Sequence, residues 1–396
     1  MPSKIPKNIK AMGVVSFLND ASTDMIYPLI PIFLTKTLGA SLPMVGLIEG
    51  IAETTASLLK VFSGWFSDKL KKRKLLTVWG YGLSMVSKPM LAFAMAPWHV
   101  LIVRFSDRFG KGLRQAPRDA LIAESITPKH LGLAYGFHKM MDTLGAVAGP
   151  LLAFLLLPLF NENLRTLFLF SFVASFLALL TLIIFVKEQK KIKYLYAFPK
   201  LSLKILPIHY RFFLLAIAIF ALGNSSDAFL FLRAGDVGVP AFLIPILYAL
   251  SNIFFAGFAF PFGKLADKIG PYKIMVGGYC VFALTYFLFA AVASPITVWI
   301  IFPMYGIFSA MTESMQKTIT VKIADPQIKG TMLGLTFTTL GIFQLPSSVI
   351  AGFLWERAGV ETPFLFGSIC ALIAAGVLFY SFWLLRNSKP ALQQSN

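Results

Sequence analysis

The sequence predicts an all-α membrane protein in which twelve transmembrane helices form two six-helix repeats. Three observations carry this prediction: the composition, the spacing of the apolar segments, and a motif that occurs twice. Of the 396 residues, 57% are hydrophobic and 14% are charged. Soluble domains average about 45–50% apolar and about 25% charged residues. Together with a mean hydropathy of +0.73, this composition indicates a chain that crosses the lipid bilayer several times.

Twelve segments are long and apolar enough to cross a bilayer, which takes roughly 20 residues of helix. They cover residues 11–36, 44–67, 75–96, 98–123, 133–159, 165–186, 211–232, 242–266, 273–293, 296–320, 330–354 and 362–386. The longest polar connection lies between the sixth and seventh segments. We therefore expect an N-terminal six-helix bundle in residues 1–187, a cytoplasmic linker in 188–210 and a C-terminal six-helix bundle in 211–396.

Two pairs of similar motifs suggest that the halves arose by internal duplication. GWFSDKLKKRK, from Gly64, has an echo in GKLADKIGPYK, from Gly263. KHLGLAYGF, from Lys129, aligns with KGTMLGLTF, from Lys329, at nearly the same offset. Chance similarity of apolar segments is the alternative, but it does not explain matched glycine, aspartate and lysine at a constant spacing. Transporters built from repeated halves have this pattern.

The distribution of lysine and arginine predicts the orientation of the chain in the membrane. The net charge is +18, and most basic residues fall before the first span, in the loop around Lys69–Lys74, in the linker and near the C-terminus. We therefore expect a multi-pass protein of a bacterial inner (cytoplasmic) membrane with both termini in the cytoplasm. Positive charge placed in this way is a topology signal, so we expect no nucleic-acid partner. The basic clusters are also suited to anionic lipid headgroups.

No motif for an enzyme, a cofactor or a metal is present in the sequence. Cys280 and Cys370 lie in apolar segments without disulfide or metal-ligand spacing. Nucleotide-binding loops, hydrolase elbows and heme sites are likewise absent from the pattern. We therefore expect neither enzymatic activity nor a cofactor, and we expect a monomer.

A charged stripe runs along the fourth span. At about 100° per residue, its charged side chains fall within about a third of the helix circumference. They are Arg104, Asp107, Arg108, Lys111, Arg114 and Arg118. Each such charge at a helix centre costs roughly 2.5–3.5 kcal/mol in lipid, so the stripe must face the protein interior. We expect Arg104 and Asp107 to form an ion pair, and Arg114 and Arg118 to lie near the cytoplasmic mouth.

Other spans carry further intramembrane charges. Asp20 and Asp24 lie one turn apart in the first span, and Glu49 and Glu53 one turn apart in the second. Lys88 lies in the third span and Asp142 in the fifth, whereas the second half is sparser, with Asp227, Glu313 and Lys317. Carboxylates that line a cavity inside the membrane are suited to carrying protons or to binding a cation. The alternative is that they only neutralise buried bases such as Lys60, Lys88, Arg104 and Arg108.

The motif from Gly64 resembles the signature loop of the major facilitator superfamily, with Gly64, Asp68 and either Arg73 or Lys74 in the family's positions. The resemblance covers essentially the whole chain, and it implies that Asp68 is a gating carboxylate that joins the halves on the cytoplasmic side. Arg104 resembles the arginine that the family uses for proton transfer, although Asp107-Arg108 replaces the usual Gln-Gly. GAVAGP in the fifth span resembles the glycine-rich motif of drug:proton antiporters.

Three sets of candidate residues follow. Those for substrate contact and proton coupling are Asp20, Asp24, Glu49, Glu53, Lys88, Arg104, Asp107, Arg108 and Asp142. Those for the cytoplasmic gate are Gly64, Asp68, Lys69, Arg73, Arg118, Gly263 and Asp267. Those for close helix packing are Gly145, Gly149 and Pro150, because small residues let helix backbones approach each other. No residue is a candidate metal ligand or catalytic group.

The sequence predicts a secondary transporter that works by alternating access. We expect proton-coupled export of a small organic compound, such as a drug, a metabolite or a siderophore. Import of an anionic solute, a ferric siderophore or a metal ion is the first alternative. A membrane sensor that transports nothing is the second alternative. Such a protein has no evident need for intramembrane charges, which are energetically unfavourable.

Overall fold

The computed structural model describes residues 5–70, 72–127, 130–188, 206–324 and 329–388, which contain helices and no strand. We number the helices α1 to α12 and divide α7 into two parts. Their bounds are α1 Lys7–Ile26, α2 Leu42–Leu70, α3 Arg73–Met90, α4 Pro97–Glu124, α5 Leu131–Leu159, α6 Leu164–Phe185, α7a Ile208–Gly223, α7b Ala228–Asp236, α8 Ile244–Ile269, α9 Pro271–Ala291, α10 Pro295–Ile323, α11 Lys329–Ala358 and α12 Thr362–Ser388.

Nine spans within the described residues are long and apolar enough to cross a bilayer. The other three predicted spans correspond to α1, α3 and α4. Helix α4 carries the charged stripe, and α3 is only 18 residues long and contains Lys88. These helices need other helices to shield them from lipid, which is the expected property of spans that line an interior site.

The first span does not end with α1. It continues as a 3-10 turn over Tyr27–Leu29, a single α-helical turn over Ile30–Ile32 and a wider π-type turn over Phe33–Thr37. Pro28 and Pro31 explain the irregularity, because proline lacks the N–H that would close the preceding helical turn.

The seventh span is broken, although its sequence predicts one continuous helix over residues 211–232. Helix α7a ends at Gly223 and α7b begins at Ala228, so the break comprises residues 224–227. Asparagine and serine side chains hydrogen bond to nearby backbone and so compete with the helix. The Ser226 side chain accepts a hydrogen bond from Ala228 N at 3.3 Å, and Ser226 N donates to the Ser348 hydroxyl at 3.2 Å.

The two halves repeat the same pattern of helix packing. In the first half α1 packs against α5 and α6, α4 against α2 and α3, and α3 against α6. In the second half α7 packs against α11 and α12, α10 against α8 and α9, and α9 against α12. Each pairing of the first half thus recurs six helices later. The predicted all-α fold of two six-helix repeats is confirmed. The predicted linker, residues 188–210, lies mostly outside the described residues.

Contacts between the halves run along two antiparallel helix pairs, α2 with α11 and α5 with α8. We call the end of the bundle where α1 begins and α12 finishes the terminal end, and the other the opposite end. Toward the opposite end the halves touch through glycines. A Cβ at Gly50 would lie 2.8 Å from Leu345 Cα, and one at Gly352 would lie 2.7 Å from Pro43 Cα.

Toward the terminal end the glycines of the same helices are not in close contact with the other half. A Cβ built on Gly136 of α5, Gly257 or Gly263 of α8, or Gly334 of α11 meets no described atom within 4 Å. The described glycine contacts that join the halves thus lie toward the opposite end. Lys139 of α5 and Glu313 of α10 lie nearer the terminal end and are exposed, so the space between the halves opens toward that end.

Candidate functional site

A cavity of about 500 Å³ lies between the two halves. Its described lining residues come from α1, α2, α4 and α5 in the first half, and from the α7 break, α8, α10 and α11 in the second. The same four positions of each six-helix repeat therefore surround the cavity. Pockets of about 300–1,000 Å³ hold small organic molecules.

The first half supplies most of the charge. Its lining residues that carry charge, which we call the first-half wall, are Asp20, Asp24, Glu53, Asp107, Arg108, Lys111, Arg114, Arg118, Lys139 and Asp142. Six of the nine residues predicted for substrate contact and coupling thus line one cavity. The predicted gate residue Arg118 lines it as well, and its guanidinium pairs with Asp119 at 3.1 Å.

Arg104 and Glu49 form a bidentate ion pair that is not part of the cavity lining. Arg104 Nε donates to Glu49 Oε1 at 2.9 Å, and Nη2 donates to Oε2 at 2.5 Å. Both side chains are almost fully buried. The expected pairing of Arg104 with Asp107 was wrong, because a carboxylate from α2 reaches the guanidinium with both oxygens and no neighbour along α4 can match that geometry.

One helical turn further, the same two helices form a second pair. Arg108 Nε lies 3.0 Å from Glu53 Oε1. The guanidinium groups of Arg104 and Arg108 both lie over the Tyr27 ring, 5.3 and 5.6 Å from its centre. Helices α1, α2 and α4 are thus joined by alternating charges and one aromatic ring, and Arg108 and Glu53 reach the cavity from this network.

Asp20 and Asp142 bring α1 and α5 together at the cavity surface. Their carboxyl groups lie close enough to interact directly, and two ionised carboxylates at such a distance repel each other. Asp142 also accepts a hydrogen bond from the Ser16 hydroxyl at 2.5 Å. Lys139 Nζ lies 3.7 Å from its other oxygen. A hydroxyl and a lysine therefore stabilise charge on Asp142, beside a second carboxyl group, Asp20.

Lys88 is buried inside the first half and does not reach the large cavity. Its Nζ donates to Asn19 O at 3.3 Å and to the Ser22 hydroxyl at 3.0 Å. A second, much smaller cavity lies beside it, lined by Thr23, Arg104 and Asp107 among others. Asp107 is 6% exposed and its Oδ1 has no hydrogen-bond partner among the described residues.

The second half supplies mainly uncharged polar groups. Its described lining residues, which we call the second-half wall, are Asn224, Ser225, Ser226, Asp227, Tyr248, Ser251, Asn252, Phe255, Tyr305, Gly306, Ser309, Glu313, Gln344 and Ser348. The Tyr305 hydroxyl donates to Asp227 Oδ1 at 2.6 Å. The Tyr248 hydroxyl lies 3.5 Å from Asp24 Oδ1 and so connects the two halves. None of the predicted coupling residues belongs to this wall.

The polar interruption of an apolar span was the signal that identifies the second-half wall. Asn224-Ser225-Ser226-Asp227 follows an almost wholly apolar run from Phe212 to Gly223. In a membrane, irregular backbone is tolerated only where it is buried in protein or lines a water-filled space. Asp227 was interpreted from the sequence as an isolated charge, although its three polar neighbours mark the same place.

The remaining predicted residues lie at the terminal end or at helix contacts. Arg73 pairs with Glu124 at 2.9 Å, and Asp267 of α8 is exposed. The side chains of Asp68 and Lys69, like the surroundings of Gly64, lie outside the described part of the chain. Gly145 and Gly149 lie against the α1 backbone, where added Cβ atoms would come within 3.1 Å of Ala21 N and 2.8 Å of Met25 N. Helix α5 continues through Pro150.

An aromatic cluster closes the cavity toward the opposite end. Tyr27 of the first half packs edge-on against Phe231 and Tyr248 of the second half, with ring centres 5.8 and 5.6 Å apart. Phe231 and Tyr248 also pack against each other at 5.6 Å. Among the described residues, no group of three or more His, Cys, Asp or Glu is placed to hold a metal ion.

Two repeated helical bundles around a polar cavity are the architecture of membrane transporters that are built from two repeated halves. A family model described as Major Facilitator Superfamily matches residues 12–346 and 212–395. The chain therefore belongs to the major facilitator superfamily, which confirms the resemblance seen in the sequence. It is a membrane transporter and not an enzyme.

Several relatives are similar over nearly their whole length. An uncharacterized MFS-type transporter of Methanocaldococcus jannaschii is 37% identical over 383 residues, 95% of each chain. The multidrug resistance protein MdtG of a Rahnella species is 24% identical over 97% of this chain and 95% of its own.

Solved structures with the same fold have little sequence identity. A POT family transporter crystallised with 5-aminolevulinic acid superposes with a TM-score of 0.79 at 13% identity, over 96% of this chain and 97% of its own. The nucleoside transporter NupG gives a TM-score of 0.73 at 14% identity, over 94% of this chain and 98% of its own. At these identities the likeness concerns the fold alone.

Proposed function

We propose that the protein is a secondary active transporter that exports a small organic compound in exchange for protons. The observation that carries this proposal is the pair of adjacent carboxyl groups, Asp20 and Asp142, that line the same cavity. A site that holds one proton between two carboxyl groups can lose it to the cavity and regain it. Because the proton is exposed to the same space as the cargo, binding of one can be linked to release of the other.

The pair joins two helices that belong to the moving parts of an alternating-access cycle. Asp142 lies on α5, which packs against both α1 and α8. When the shared proton leaves, the two carboxylates repel each other and Lys139 remains as the cation beside them. That change weakens the contact between α1 and α5 and alters the balance between the two open states.

Export is supported by a relative and by the open end of the cavity. MdtG of Rahnella is named a multidrug resistance protein. If the terminal end faces the cytoplasm, as the lysine and arginine distribution predicts, then the cavity is open toward the cytoplasm and accessible to cargo from the cell interior. The protein then acts as a multi-pass monomer in the cytoplasmic membrane.

Import of an anionic solute is the second candidate, and it rests on the basic side chains of the first-half wall. Arg108, Lys111, Arg114 and Arg118 follow one face of α4. Arg108 and Arg118 have carboxylate partners, whereas Lys111 has none within 4 Å among the described residues. An anion at Lys111 would favour this alternative.

The test is proton flux in proteoliposomes that contain a trapped pH-sensitive dye and the purified protein. Organic amines, organic acids, siderophores and lipophilic cationic drugs are added in turn. We expect one class to move protons, and we expect Asp142→Asn to lower that flux at least tenfold. Asp236→Asn is the matched control, because Asp236 pairs with Arg233 outside the cavity at 2.6 Å. Solute transport without proton movement would contradict the coupling, and no transport by folded protein would favour a sensor.

A further inference from the structure

We propose that the second-half wall binds an ammonium group, so that the cargo is a hydrophilic organic amine. This inference rests on the proposed transport function, because it names the class of molecule that the same cavity carries. The relevant part of the wall is the α7 break, which contains Asn224 and Asp227, and Asp227 contacts Tyr305 of α10.

The first step is the difference in charge between the two walls. The described lining residues of the second half include Asp227 and Glu313 but no lysine, arginine or histidine. The first-half wall contains five bases and five carboxyl groups, so its charges balance when all ten are ionised. A cation that enters the cavity is therefore attracted to the second half, because a cleft lined by one sign of charge concentrates ions of the opposite sign.

The second step concerns the hydrogen bonds that the break leaves open. Asp227 receives a neutral donor, the Tyr305 hydroxyl at 2.6 Å, and no described lysine, arginine or histidine pairs with it within 4 Å. Asn224 Oδ1, three residues earlier, is shielded from solvent and accepts no hydrogen bond from the described residues. Both groups are acceptors, and an ammonium has three donors and no acceptor. The positive charge of the ammonium also compensates the Asp227 carboxylate, whose removal from water is otherwise unfavourable.

The third step concerns the rest of the molecule. Around Asp227 the wall presents hydroxyl and amide groups, among them Ser309, Gln344 and Asn252, and two tyrosine rings, Tyr248 and Tyr305. Unlike the Tyr27 ring, which faces Arg104 and Arg108, neither of these rings has a cation over it among the described contacts. The wall therefore suits an amine whose remaining surface carries hydroxyl or amide groups, with aromatic faces that also attract a cation.

The test measures the electrostatic preference of the wall without knowledge of the cargo. Single cysteines are introduced as Ser309→Cys in the second-half wall and Gln115→Cys in the first, in full-length protein carrying Cys280→Ser. Buried Cys370 remains, and its labelling in the parent is subtracted. The probes are the trimethylammonium-ethyl and sulfonatoethyl methanethiosulfonates, and each rate is divided by the rate with a free thiol.

We expect the cationic probe to be favoured about tenfold in the Ser309→Cys variant, since charged clefts change local ion concentrations by about 10–10³. Asp227→Asn should reduce the preference to about threefold or less, and Asp236→Asn should leave it unchanged. In the Gln115→Cys variant the preference should be smaller than in the Ser309→Cys variant. Equal rates at Ser309→Cys, a preference for the anionic probe, or a preference insensitive to Asp227→Asn would overturn the proposal.

The transport assay distinguishes failure of this inference from failure of the proposed transport function. In the proteoliposome assay we compare glucosamine and kanamycin, which carry ammonium groups, with N-acetylglucosamine and glucuronate, which do not. Proton flux driven by the amines and lost in Asp227→Asn supports both proposals. Flux driven only by glucuronate overturns the amine assignment but leaves the protein a coupled transporter. A cationic preference in the labelling experiment without any flux contradicts the transport function and retains the binding site.

Discussion

Glu49 of α2 and Arg104 of α4 form a bidentate ion pair outside the main cavity, with N–O distances of 2.9 and 2.5 Å. The glutamate is fully buried and the arginine is 2% exposed. The pair therefore joins α2 and α4 within the first half, and Arg104 is linked to the cavity lining through the Tyr27 ring that it shares with Arg108.

Loss of one partner of this pair should destabilise the protein strongly. Removing one member of a buried ion pair costs about 3–5 kcal/mol, because the other charge stays buried. We expect Glu49→Gln to lower the melting temperature in detergent by several degrees. The exchange Glu49→Arg with Arg104→Glu should recover part of the loss in a double-mutant cycle. The exchange of Arg104 with Asp107 should recover none, and equal recovery by both exchanges would contradict the pairing.

Close packing of α1 against α5 makes a prediction at Gly149. A Cβ there would lie 2.8 Å from Met25 N, and a backbone atom cannot move aside as a flexible side chain can. We expect Gly149→Ala to cost about 1–3 kcal/mol, as overpacking does, measured as a lower melting temperature. Gly136→Ala on the same helix is the control, because its Cβ meets no described atom within 4 Å. It should be neutral or stabilising, since alanine favours helix by about 1 kcal/mol over glycine.

The twelve spans could be predicted from the sequence because bilayer thickness and hydropathy act locally along the chain. The charged stripe of α4 could be assigned to the interior for the same reason. The partner of Arg104 could not be predicted, because Glu49 approaches it from another helix, and that approach depends on how α2 and α4 pack. The second-half wall was missed because its groups are mostly hydroxyls and amides from four places in the chain, which carry no charge to stand out in an apolar sequence.

The predicted gate makes a kinetic prediction at Asp68. A gate carboxylate alters the balance between open states without touching the cargo. We therefore expect Asp68→Asn to leave the equilibrium affinity for a transported solute within about twofold and to slow turnover about tenfold, because a modest shift in populations changes the apparent affinity only modestly. Binding is measured in detergent and turnover in proteoliposomes. Turnover equal to that of the wild type would remove Asp68 from the gate.

The aromatic cluster at the closed end makes the last prediction. Tyr27 packs against both Phe231 and Tyr248 of the other half, 5.8 and 5.6 Å from their ring centres. Edge-to-face aromatic contacts contribute about 0.5–1.5 kcal/mol each beyond the area they bury. Tyr27→Ala removes two of them, and a loss of roughly 1.4 kcal/mol changes an equilibrium constant about tenfold.

We therefore expect Tyr27→Ala to raise the labelling rate of a Ser309→Cys variant about tenfold when a membrane-impermeant thiol reagent is supplied only from the opposite end. Tyr27→Phe keeps the ring and should retain the wild-type rate. If both variants label at the wild-type rate, the closed end is held by the glycine contacts of α2 with α11. If Tyr27→Phe labels as fast as Tyr27→Ala, the hydroxyl and not the ring closes the cavity, and the aromatic contacts are not the barrier.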